Sequence, residues 1–64
     1  MNESDSNECR GIAEAVRAAC LRAALEGYEH AAISGLCHEG AWECAVDAIR
    51  ALDIEALLRD LNGA

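Results

Sequence analysis

The chain has 64 residues, 53% of them hydrophobic, and a formal net charge of −7 from 12 acidic and 5 basic side chains. So short a polypeptide forms one domain at most, residues 1–64, and buries only about 60% of the surface its unfolded chain exposes, which leaves a lone fold short of core. The acidic balance excludes binding nucleic acid or an anionic membrane through a general field, because both need a basic surface, and no stretch reaches the about 18 unbroken apolar residues of a membrane span.

The apolar content is made of small side chains. Fourteen alanines and 4 cysteines supply over half of it, Phe is absent, and Trp42 and Tyr28 are the only aromatics. Abundant Ala, Leu, Glu and Arg without proline favour helix over strand, so the fold class is all-α. All basic residues are Arg, which fits a GC-rich bacterial genome.

Met1–Asn7 is acidic and polar, with none of the charged-then-apolar pattern of a secretory signal; residues 1–5 read as a disordered tail. A cytoplasmic location with reduced thiols is the expectation. The first helix starts near Asp5, which with Glu8 makes a capping-box-like pair, Ser4 and Ser6 being alternative caps. It runs to about Ile33, supported by the i,i+4 pairs Arg10/Glu14 and Arg22/Glu26.

Within that helix Gly11, Ala15, Ala19, Ala23 and Gly27, continued by Ala31 and Gly35, recur every four residues. The row is shallow enough for a second helix to approach closely, and a bulkier row of Ile12, Val16, Cys20, Ala24 and Tyr28 lies beside it. In so Ala-rich a chain composition alone can also produce such a row. Gly27 weakens the helix by about 1 kcal/mol relative to Ala, so it marks a packing contact, a kink or the true end of the helix.

Ser34-Gly35 is the clearest break, with Gly35 as a left-handed C-cap and Leu36 as the apolar residue that follows one. A second helix begins at Cys37 or His38, carries Trp42, Ala45, Val46 and Ile49 at helical spacing, and has Asp47/Arg50 as an i,i+3 pair. Asp53 is either a residue within a continuing helix or, the favoured reading, the N-cap of a short third helix, Ile54 to Leu61, whose apolar stripe is Ile54, Leu57, Leu58 and Leu61.

The expected architecture is an antiparallel helical hairpin with a long first arm plus the short C-terminal helix. A first helix of about 25 residues is about 38 Å long, more than one hairpin can cover on both faces, so dimerisation into a four-helix bundle completes it.

The cysteines do not form a disulfide framework on this reading. Ten residues separate Cys9 from Cys20 and six separate Cys37 from Cys44, whereas matched rungs between two helices need matched spacings. With the turn at Ser34-Gly35, Cys20 lies about 21 Å up one arm and Cys44 about 15 Å up the other. Disulfide partners need Cα atoms within about 4.4–6.8 Å, so that pair closes only with a register shift. Cys20 and Cys44 read as small core residues, Cys9 as a lone thiol near a helix start.

Cys37 beside His38, near a helix start, is the thiol best placed for chemistry. A metal site for zinc or another thiophilic ion would draw on Cys37, His38, Cys44 and His30, although the first and third of these are about 10 Å apart along a helix. His30 otherwise reads as a helix-end residue suited to the dipole. Adjacent Cys37, His38 and Glu39 point in different directions on a helix, and a chain this short cannot readily wall off a pocket, so no catalytic activity is expected.

The function these features favour is a small acidic protein–protein interaction or accessory module, self-associating as a homodimer and binding a further protein partner. Its expected interface is Leu36, Trp42, Val46, Leu57, Leu58 and Leu61, with Trp42 the central anchor. The alternative is a thiol and imidazole metal or cofactor binder.

Overall fold

A computed structural model describes residues 3–63, with side-chain surroundings for residues 7–61. Three helices follow in order, α1 (Glu3–Ile33), α2 (His38–Arg50) and α3 (Ile54–Gly63), and no strand occurs among the described residues. α2 and α3 run one after the other back along α1, as an antiparallel hairpin whose second arm is broken once. α1 is continuous through Ser4, Asp5 and Ser6, so none of these candidate caps starts it. Of the expected tail, residues 1 and 2 lie outside the described residues.

The two breaks form for local reasons. Gly35 has φ 94°, the left-handed region that a side chain disfavours. There the Leu36 N–H donates to the Ala31 carbonyl at 3.0 Å and the Gly35 N–H to the Ala32 carbonyl at 3.1 Å. These two bonds make a Schellman stop and satisfy carbonyls that the helix end would otherwise leave open. At the second break the Ala56 N–H donates to Asp53 Oδ1 at 3.0 Å and the Leu57 N–H to the Asp53 carbonyl at 3.1 Å. Asp53 is therefore the N-cap of α3, and the arm bends at Leu52-Asp53 instead of continuing.

The small-residue row is the packing seam. Ala15, Ala19, Ala23 and Gly27 are half-buried and Ala31 is buried, with half-buried Val16, Cys20, Ala24 and Tyr28 beside them. At Gly27 the helices come so close that a Cβ there would lie 3.0 Å from Ala48 Cβ and 3.1 Å from the Cys44 carbonyl oxygen. Gly27 is thus a site of helix contact, and α1 continues past it to Ile33. Gly11 differs from the expectation for the row: it is exposed and a Cβ there would meet nothing within 4 Å. It lies beyond the span of α2, opposite α3, whose contact with α1 is slight.

The ion pairs also differ in part. Asp47/Arg50 forms at 3.8 Å, but Glu14 pairs with Arg17 at 3.6 Å, and neither Arg10/Glu14 nor Arg22/Glu26 closes. All these side chains lie in solvent, where such pairs differ by only tenths of a kcal/mol.

Close packing of small residues yields a thin core. Among the described residues only Ala31, Ala41 and Ala45 are buried, and no large side chain is fully enclosed. The molecule measures 49 × 20 × 14 Å with a radius of gyration of 15.0 Å, against about 11 Å for a compact chain of this length. Its accessible surface is 5109 Å², whereas a compact monomer of 6.8 kDa exposes about 4,000 Å². About 1,100 Å² per chain therefore stays in water that a globular fold of this mass would cover.

Candidate functional site

α1 and α2 are held in register by small residues within the seam and by one polar contact at its rim. The Tyr28 hydroxyl and His38 Nδ1 are 2.7 Å apart, and the two rings meet edge to face with centroids 5.7 Å apart. The contact identifies which flank of α1 and which flank of α2 lie on the same side of the hairpin.

Helical spacing then fills that side. Leu21 and Leu25 precede Tyr28 by seven and three residues and share its stripe on α1; Trp42 follows His38 by four, and Ile49 follows Trp42 by seven, on α2. Leu21 is 60% exposed, Leu25 62% and Trp42 63%. These are large apolar side chains standing in water along the two arms, with half-buried Val46 between Trp42 and Ile49 on α2.

The expected interface residues do not gather in one patch. Trp42 and Val46 line a shallow open depression together with Glu43, Asp47 and Arg50 on α2. Leu36 sits after the Gly35 stop and packs over Gly40, where a Cβ would come within 3.3 Å of its Cδ2. Leu57 and Leu58 are half-buried on α3, and Leu61 is exposed beside Glu8, Gly11 and Ile12 of α1. Leu21 and Leu25 were absent from that set. Their three-to-four spacing with Tyr28 was readable on the helix, but which flank α2 leaves uncovered depends on how the arms pack.

The thiols and imidazoles are dispersed. All 4 cysteines are free, Cys9 and Cys37 exposed, Cys20 and Cys44 half-buried along the seam. Cys37 is the N-cap of α2 with φ −70° and ψ 169°; its carbonyl accepts the Ala41 N–H at 2.8 Å, while its side chain makes no capping bond. His30 lies exposed in the last turn of α1, and His38 is engaged with Tyr28. Among the described residues no three His, Cys, Asp or Glu side chains gather where they could hold a metal ion, so His30, Cys37, His38 and Cys44 are not brought to one point. No helix among them is long and apolar enough to cross a membrane.

The arrangement offers a face of exposed large apolar groups on a rigid two-helix frame, a feature suited to contact with another helical surface. Comparison of the chain with protein-family models, with curated proteins and with solved structures finds no match.

Proposed function

We propose that this protein is a non-catalytic helical interaction module whose primary association is with a second copy of itself, the pair acting as a small acidic scaffold or accessory for a further protein. The observation that carries this reading is the imbalance between core and surface. Three alanines are the whole buried core among the described residues, and an alanine contributes little of the about 1.5–3 kcal/mol that a buried leucine-sized side chain supplies.

The chain leaves more surface in water than a compact fold of its mass. A stable interface covers about 800 Å² on each partner, less than the about 1,100 Å² by which the chain exceeds a compact monomer. Hairpins of this kind complete a bundle by facing another hairpin across their apolar flanks.

Sedimentation equilibrium under reducing conditions at low micromolar concentration tests the reading. Two chains of 6.8 kDa each per particle is the expected result. A single folded chain throughout the concentration range would overturn it.

A further inference from the structure

We infer that the outward side of α2 receives a basic amphipathic helix of another protein, its apolar residues on Trp42 and Val46 and its lysines or arginines on Glu39, Glu43 and Asp47. The inference rests on the reading of the chain as an interaction module and gives the further protein of that reading its chemistry.

α2 has two unlike sides. Ala41 and Ala45 are buried and Ala48 stands against the Gly27 position of α1, so the small-residue side is occupied by the seam. On the side away from it Glu39, Glu43 and Asp47 recur every four residues, all exposed, and Trp42 and Val46 form an apolar row at the same spacing beside them. The two rows meet in space: Trp42, Val46, Glu43 and Asp47 line one open depression, which Arg50 closes at the end of the helix. A partner helix repeats four-residue rows of its own, so it can set an apolar row and a basic row against these two at once.

Charge selects the occupant. Between Arg22 and Arg50 the chain carries five carboxylates, Glu26, Glu29, Glu39, Glu43 and Asp47, and neither Lys nor Arg. The hairpin folds that stretch into its turn half, the last turns of α1 and the whole outward row of α2. Among the described residues Glu39 and Glu43 make no ion pair, and Asp47 meets Arg50 at 3.8 Å with the side chains 74% and 77% exposed, where water screens the attraction. A second copy docked symmetrically through this surface would set three carboxylates and one guanidinium against their own image, a net repulsion. A basic helix turns the same row into attraction, with the Trp42 ring as its apolar anchor.

Trp42 is the only tryptophan, so its emission reports occupation of the depression. The probe is a synthetic amphipathic peptide of leucine and lysine, each recurring every fourth residue, and its control is the same peptide with glutamate in place of lysine. Affinity is read by anisotropy of the labelled peptide on the wild-type chain, on Glu39→Gln/Glu43→Gln, on Trp42→Ala and on Glu8→Gln/Glu55→Gln, which removes the same charge from exposed positions on α1 and α3. Binding of the basic peptide alone is expected, with Trp42 emission moving to shorter wavelength and affinity falling as salt rises. Glu39→Gln/Glu43→Gln should weaken it about three- to tenfold and Trp42→Ala at least about tenfold, while Glu8→Gln/Glu55→Gln leaves it unchanged. Far-UV circular dichroism checks that each variant is helical.

Equal weakening by the two glutamine pairs would mean attraction by the acidic chain as a whole and would overturn the inference, as would binding that leaves Trp42 emission that of a solvated indole. Emission already shifted in the peptide-free dimer, with peptide excluded, would assign the depression to the second copy instead. Sedimentation separates this result from the reading beneath it: a dimer that takes up no peptide removes the docking surface and leaves self-association standing, whereas a monomer that binds peptide at Trp42 supports the surface and overturns self-association.

Discussion

Replacing Gly27 by alanine sets two effects of opposite sign against each other. Alanine in mid-helix favours α1 by about 1 kcal/mol through its lower backbone entropy in the unfolded chain. The new methyl, however, would stand 3.0 Å from Ala48 Cβ, 3.1 Å from the Cys44 carbonyl oxygen and 3.4 Å from Ala45 Cα. None of these atoms is the end of a flexible side chain, so relief requires the helices to move apart. Overpacking of this kind costs about 1–3 kcal/mol, and the seam also loses dispersion contact along its length. The balance is a net destabilisation of about 1 kcal/mol, which for a domain of this size lowers the melting temperature by about 4–8 °C.

Gly11→Ala supplies the matching control. A methyl at Gly11 meets nothing within 4 Å, so only the helix term remains and the variant gains about 0.5–1 kcal/mol. Thermal unfolding of both variants and the wild type, followed by far-UV circular dichroism at one fixed protein concentration, gives the comparison. Shifts of opposite sign are expected. An equal gain at both positions would refute the account of Gly27 as the point of closest helix approach.

At the turn, Gly35→Ala forces a side chain into φ 94° and costs about 1–2 kcal/mol, measurable by urea unfolding, although a Cβ there has open space around it. Asp53→Ala removes the bond to the Ala56 N–H and costs about 1 kcal/mol; hydrogen exchange locates the loss in α3, and Asp53→Asn restores most of it. The 4 free thiols divide by exposure: alkylation of the native protein should label Cys9 and Cys37 quickly and Cys20 and Cys44 slowly, the difference vanishing in denaturant. Labelling of all four at one rate in the native state would contradict the placement of Cys20 and Cys44 along the seam.

Features carried by a few neighbouring residues were legible in the sequence. The Gly35 stop needs one residue free to adopt positive φ, and the Asp53 cap needs one short acceptor before an apolar run, so both were readable, and the structure has both. The row ending in Gly27 and Ala31 was legible because close helix packing requires small residues at a fixed spacing. Its failure at Gly11 was not, since that depends on α2 ending at Arg50.

The start of α1 was obscured by three competing cap residues, each of which is also tolerated inside a helix. The exposed ion pairs were misplaced because long flexible side chains choose among partners that differ by tenths of a kcal/mol. Leu36, Trp42 and Leu61 are each exposed, but they sit at the turn, on α2 and on α3, so whether they share one surface depends on how the arms pack. Which flank of α1 lies on the same side as His38 is set only where Tyr28 meets it.

The most direct test of the central claim, that folding and self-association are one process in this chain, is the dependence of its thermal unfolding midpoint on protein concentration. A fold completed by a second copy melts at a temperature that rises steadily as the chain is concentrated, because association stabilises the folded state by mass action. A cooperative transition at the same temperature across the whole concentration range would mean that three buried alanines suffice to hold a single chain folded, and would contradict the account.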